Sequence, residues 1–177
     1  MTYQEKLIEA SEFQDFVSDM LYDTGIPINL YTSKKYQYNK GESRAGFEIK
    51  HDRQFESTGN LFIEVKERHD PEGQYVPSGI LRKDNTLFYV IGDYKRTFLF
   101  GKKQLIKLIK TQKFRLVENG DKTGIGYLIP VVRKRPEQEW VLDEHKDWLL
   151  AEWKDGKLYE KEKQQTSTVR KEPIFSI

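Results

Sequence analysis

Apolar residues recur at helical spacing near the start of the chain. Leu7, Phe13, Phe16, Val17, Met20 and Leu21 form one stripe between Gln4 and Tyr22, and Gly25 with Pro27 stops it. Tyr and β-branched residues over Ile28–Tyr38 then predict a strand, as do Gly46–Asp52 (GFEIKHD) and Leu61–Glu67 (LFIEVKE). RQFESTGN lies between the last two and ends in Thr58-Gly59-Asn60, so it predicts a turn and makes them a hairpin. Arg68–Ser78, with Pro71, Gly73 and Pro77, reads as a loop. Leu87–Ile91 and Thr97–Phe100 predict short strands, Lys102–Thr111 a helix, and Phe114–Val117 with Ile125–Val132 a second hairpin. Beyond Pro136, Trp140, Trp148 and Trp153 punctuate an expected helix over Asp143–Trp153, and Lys154–Ile177 reads as a polar arm. The expectation is an α/β fold of α+β character, a mixed sheet flanked by helices over 1–135, followed by a Trp-containing helical segment and arm over 136–177.

Charge sharpens this picture. Lys and Arg number 30 against 28 Asp and Glu in 177 residues, a net charge of +2 that hides strong segregation. Met1–Asp23 carries Glu5, Glu9, Glu12, Asp15, Asp19 and Asp23 against Lys6 alone. Tyr94–Val117 carries Lys95, Arg96, Lys102, Lys103, Lys107, Lys110, Lys113 and Arg115 with no acid between them. Such a surface attracts a polyanion, so Lys95, Arg96, Lys102, Lys103, Lys107 and Lys110 are candidate phosphate contacts, with Lys34 and Lys35 beside them. The bland reading is a solvated helix whose bases balance acids elsewhere.

Several chemistries are excluded. Without Cys there are no disulfides, thiolate metal sites or Cys nucleophiles. Gly120-Asp-Lys-Thr-Gly124 and Gly101-Lys-Lys lack phosphate-loop spacing, and Gly124-Ile-Gly126 lacks the third glycine of a dinucleotide fingerprint. There is no Gly-x-Ser-x-Gly, and His51, His69 and His145 are isolated. No apolar run approaches the ~20 residues of a membrane span. The opening residues lack the order of a signal peptide, so a cytoplasmic protein with no membrane partner is expected.

Gly46–Arg68 remains. In Leu61–Lys66, Glu64 and Lys66 interrupt an apolar strand and, two apart, are expected on one face. The predicted turn folds Asp52 back towards Glu64. Two carboxylates suit a hard divalent cation with positions left for water and a phosphate oxygen, and a lysine alongside would orient the water or stabilise the transition state. Glu-x-Lys is common in a chain that is 33% charged, and it recurs at Glu48, Glu144 and Glu152. Only Glu64-Val-Lys66 combines an apolar strand, an upstream Asp and an intervening turn.

At these residues the sequence resembles the PD-(D/E)xK nucleases, the restriction-endonuclease-like superfamily. It is similar to small phage- or prophage-encoded members through Glu48–Asp52, Thr58–Val65 and Pro77-Ser-Gly-Ile80. The resemblance implies a restriction-endonuclease-like core and a metal-dependent DNA nuclease, expected to be an endonuclease, with Mg²⁺ as cofactor and Mn²⁺ able to substitute. It assigns Asp52, Glu64 and Lys66 to catalysis, and Asp52, Glu64 and the Val65 carbonyl to the metal. Glu12, or else Glu9, would add a first-helix carboxylate, and Glu48 is the rival or auxiliary ligand. His51 stands where the family motif has Pro, and Arg68–Ser78 is a poor helix where many members place one. Cutting both strands would need a homodimer. The alternative reading is a nuclease-like module that binds DNA or protein without cleaving; a third is a β-rich interaction domain with a chance salt bridge.

Overall fold

The computed structural model describes residues 3–135, 138–141 and 148–159. The helices are α1 (Tyr3–Asp23), α2 (Lys34–Lys40), α3 (Phe55–Thr58) and α4 (Lys102–Thr111). The strands up to the middle of the chain are β1 (Phe47–His51), β2 (Asn60–Glu67), β3 (Val76–Pro77), β4 (Phe88–Gly92) and β5 (Arg96–Gly101). They are followed by β6 (Arg115–Glu118), β7 (Gly124–Pro130), β8 (Val132–Arg135), β9 (Gln138–Val141), β10 (Leu149–Lys154) and β11 (Lys157–Leu158).

A five-stranded mixed sheet has the order β1-β4-β5-β10-β11, with β1 and β4 parallel and the remaining pairs antiparallel. A four-stranded antiparallel sheet has the order β3-β2-β7-β6, and β8 pairs with β9. The fold is thus mixed α/β. One core packs the α1 stripe (Phe13, Val17, Met20, Leu21) on Phe47, Ile49, Val90, Leu99 and Trp153. The other lies on the opposite face of the larger sheet, where Tyr89, Ile91, Phe98 and Phe100 meet Leu61, Ile63 and Val65 of β2 and Leu105, Leu108 and Ile109 of α4. α1 ends as its sequence predicts, with Gly25 at φ 82° and the Ile26 N–H on the Leu21 carbonyl at 2.8 Å.

Three expected elements differ. Ile28–Tyr38 is not a strand: Leu30 makes one isolated bridge to Ser43, and the Lys- and Tyr-rich remainder winds into α2. That helix stops at Gly41 (φ 98°), where an added Cβ would sit 2.0 Å from Asn85 Oδ1. β1 and β2 are not a hairpin either, for they belong to different sheets. The intervening segment forms α3 because Phe55 is buried and packs edge-on against Phe98, with ring centroids 5.1 Å apart. Finally, the expected helix over 143–153 falls partly outside the described residues, and the described part is a strand. β10 lies inside the larger sheet beside β5, and Trp153 is 1% exposed. The main fold therefore continues past residue 135. Residues 160–177 of the expected arm lie outside the described residues. The second hairpin, β6–β7, is present as read.

Candidate active-site cleft

β1 and β2, though unpaired, approach where the two sheets part. Asp52 follows β1, and its own N–H donates to the Gly92 carbonyl at 2.7 Å. Its carboxylate accepts the Phe62 N–H on β2 at 2.7 Å and the Gln54 N–H at 3.1 Å. Each oxygen thus receives one backbone donor and keeps a lone pair. Asp52 stitches β1 to an N–H of β2 that would otherwise be unmet, and it also lines a cleft of about 940 Å³ at the split.

Glu64 lines the same cleft. Its Oε1 accepts the Ser78 hydroxyl at 2.9 Å, and the Ser78 N–H donates to the Val65 carbonyl at 3.0 Å. Gly79 makes this close approach possible: at φ +50°, a Cβ there would lie 2.3 Å from the Glu64 carbonyl oxygen. Pro77-Ser-Gly-Ile80 therefore clamps β2 at Glu64, with Ile80 fully buried as the anchor.

Lys66 does not join them. The β2–β7 register passes from Glu64↔Gly126 to Lys66↔Ile125, so β2 carries one extra residue between them. A bulge of this kind breaks the two-residue alternation. Lys66 is exposed beside Pro77 of β3 and is not among the cleft-lining residues, whereas Glu67 lines the adjoining cavity, where its charge acts on Glu64.

Two lysines line the cleft, Lys6, which pairs with Asp121, and Lys50. Lys50 is the one on β1 beside the carboxylates. It lines both the 940 Å³ cleft and an adjoining cavity of about 850 Å³ under α1 and α2. Its ammonium lies 2.7 Å from Glu48 Oε1, while the side chain stays 45% exposed to the cleft. Desolvation opposes its charge, but Glu48, then Glu42 and more distantly Glu64, outweigh that and hold its pKa above the ordinary lysine range. Glu48, 1% exposed, also meets Arg82 at 3.4 Å and the Thr86 hydroxyl at 3.3 Å. Its oxygens are committed to these partners, which makes it a holder of Lys50 rather than an open ligand. Glu42 reaches back along β1 to accept the Ile49 N–H at 2.6 Å and a bond from Gln14. Asp84 completes the buried network, taking Arg82 Nε at 3.0 Å and Lys102 Nζ at 2.9 Å.

Buried and half-buried carboxylates (Glu42, Glu48, Asp52, Glu64, Asp84) outnumber the cations Lys50, Arg82 and Lys102 in this region. Burial raises the pKa of Asp52, Glu64 and Glu42 in each case as the largest cause. Backbone N–H donors oppose it at Asp52, the Ser78 hydroxyl and Lys50 at Glu64, and chiefly Lys50 at Glu42. Among the described residues no three His, Cys, Asp or Glu side chains converge as a ready-made metal cage. Asp52 and Glu64 remain as oxygen donors facing one cleft, a set suited to an ion that keeps several waters.

The other expected site residues fall in different places. Glu12 is exposed near Tyr94, while Glu9 lines the adjoining cavity and holds His51 Nδ1 at 3.3 Å and Arg53 at 3.2 Å. Among the expected phosphate contacts, Lys103, Lys107 and Lys110 are exposed on α4, and Lys95 is exposed in an ion pair with Glu56. Arg96 is not available: it is 8% exposed, with Nε 3.1 Å and a terminal nitrogen 2.5 Å from Glu152 Oε1. Lys102 is likewise buried on Asp84 and the Arg82 carbonyl. Both fail for one reason. A cation on a strand, or at the first turn of a helix over a core, finds a buried carboxylate before it finds solvent.

Comparison with protein-family models, curated proteins and solved structures gives no match in any of the three. No helix among the described residues is long and apolar enough to cross a membrane.

Proposed function

We propose that this protein is a divalent-metal-dependent DNA nuclease of the PD-(D/E)xK kind, in which Lys50 takes the role that the sequence motif assigns to Lys66. One observation carries the reading: Asp52 and Glu64, each with a raised proton affinity, line one cleft with an ammonium held charged by Glu48 and Glu42. Asp52 and Glu64 would hold Mg²⁺ or Mn²⁺, whose chemistry is to acidify a bound water and offset charge on phosphoryl oxygens. The chain's own groups do the rest. Ser78 and the Phe62 N–H fix the two carboxylates, the buried network fixes Lys50, and Lys50 offers fixed positive charge to an anionic oxygen. Arg53, Arg115 and Lys6 stand around the cleft, with exposed Lys103, Lys107 and Lys110 on α4 as a backbone-contact surface. Of a restriction-endonuclease-like core the reading keeps the leading helix and the mixed sheet with its parallel β1–β4 pair; the hairpin expected to join Asp52 to Glu64 is not formed. Incubation with supercoiled, linear, branched and single-stranded DNA plus Mg²⁺ or Mn²⁺ tests the activity. Calorimetric metal binding lost in Asp52→Asn and Glu64→Gln tests the site.

The absence of a three-carboxylate cage among the described residues favours a second reading, a nuclease-like module that binds DNA without cutting it. It expects DNA binding indifferent to Mg²⁺ and to Glu64→Gln.

A further inference from the structure

The segment from Thr24 to Gly41 holds no acid and carries Lys34, Lys35 and Lys40 with Tyr31, Tyr36 and Tyr38. The Tyr31 and Tyr36 rings stack, with 5.9 Å between centroids and 19° between planes. Neither ring belongs to the two apolar cores, and Tyr36 is 56% exposed. The stack is nonetheless held in place. Tyr31 donates its N–H to the Glu42 carbonyl at 2.9 Å, and its own carbonyl accepts the Gln37 side chain of α2. A flat, fixed aromatic surface left open to solvent among cations is what an unpaired nucleobase stacks on.

α2 also connects this surface to the cleft. Lys35, Gln37 and Asn39 line the adjoining 850 Å³ cavity, which shares Lys6, Lys50, His51 and Arg53 with the cleft. Three of the four carboxylates on its walls are already answered: Glu9 by Arg53, Glu42 by the Ile49 N–H, and Glu48 by Lys50 and Arg82. Lys35 is exposed, and Tyr36 follows it on the helix. A nucleotide whose phosphate meets that ammonium can therefore lay its base on the ring. Resting on the nuclease reading, we propose that Tyr36, backed by Tyr31, is a platform for an unpaired base of a DNA strand that runs from the cleft past Lys50 and Arg53 to Lys35. The substrate is then DNA with a single-stranded segment beside the scissile phosphate. A continuous duplex keeps its bases stacked on one another and gains nothing from the ring.

Tyr36→Ala removes an exposed ring, and Tyr36→Phe keeps it. Anisotropy of a fluorescein-labelled oligothymidylate, without metal, should show binding weakened about 5- to 100-fold in Tyr36→Ala and near wild type in Tyr36→Phe. Affinity for a blunt duplex should not change in either variant, nor should the urea midpoint. In Mg²⁺, KM for DNA with a single-stranded branch should rise in Tyr36→Ala while kcat holds. An oligonucleotide carrying 5-iodouracil should photo-cross-link to Tyr36 or Tyr31 of the wild type, which reads the contact without any substitution. Oligothymidylate affinity that ignores Tyr36→Ala overturns the platform, as does an equal loss for duplex, or cross-links that map only elsewhere. Those results leave the nuclease reading standing wherever the wild type cuts DNA. A wild type that cuts nothing, yet loses oligothymidylate affinity in Tyr36→Ala, removes the nuclease reading and leaves the platform as a binding site.

Discussion

Lys50 and Lys66 carry the same charge on successive strands of different sheets, and their surroundings separate them. Both are exposed, but Lys50 is fixed at 2.7 Å from a buried carboxylate and lines the cleft, whereas Lys66 follows a bulge and does not. Glu64 makes the complementary case, since burial raises its pKa above the ordinary 4.5. The folded state therefore binds that proton more readily than the unfolded chain does. Ionised Glu64 is a cost that is full above its folded pKa and fades as pH falls towards 4.5. Metal-free Glu64→Gln is accordingly expected to be more stable than wild type at pH 7, with the difference shrinking as pH is lowered. Urea midpoints of the pair measure this. The paired comparison removes His51, whose pKa burial lowers below 6.5 and whose contribution runs the opposite way, being lost as pH falls. It also removes Asp84. Hydrogen bonds from Lys102, the Thr86 N–H and Arg82 overcome burial there and hold its pKa down at about 2, so its stabilisation is lost only below 3.8.

At the scale of elements, α4 separates two kinds of cation. Its amphipathic pattern was legible in the sequence, and the helix forms over Lys102–Thr111 as read. Which lysines face outward was only partly legible, because Lys102 sits at the first turn over Asp84. Replacing Lys103, Lys107 and Lys110 with Ala is expected to weaken DNA binding for all sequences alike. The slope of log affinity against log salt should become shallower by about 0.9 per lysine that contacts phosphate, as read by fluorescence anisotropy across a salt series. Arg96 on β5 should behave differently. Arg96→Ala leaves Glu152 buried and unpaired by its guanidinium, a loss of about 3–5 kcal/mol in urea unfolding, with no direct effect on the salt slope. The hairpin fared worst. β1 and β2 were found to within a residue or so, but nothing local revealed that Phe55 would be drawn onto Phe98. Nor did it reveal that β1 would choose β4, more than thirty residues downstream, as its partner. Strand identity is local and partner choice is not.

For the whole molecule, the split between the sheets is what brings residues from β1, β2, β4 and the Pro77–Ile80 turn to one cleft. The carboxylates Asp52 and Glu64 could be picked out from the chain, since they interrupt or end apolar strands. Ser78 and Lys50 could not be ranked, because their roles depend on Glu64, which another strand brings to them. Glu48-Ile-Lys50 lacks the upstream Asp and turn that single out Glu64-Val-Lys66, yet Glu42 reaches the Ile49 N–H of β1 without a hairpin. The described strand β10 is equally tied in. Trp153 fills the α1 core, and Trp153→Ala is expected to cost about 3–5 kcal/mol, read as a lowered urea midpoint. The most direct test of the central claim is single-turnover DNA cleavage in Mg²⁺ by wild type, Lys50→Ala and Lys66→Ala side by side. The account predicts metal-dependent cleavage by wild type, a loss of at least about 100-fold in Lys50→Ala, and near-wild-type rates in Lys66→Ala. Cleavage that survives in Lys50→Ala and is lost in Lys66→Ala, or a wild type that cuts nothing, would contradict it.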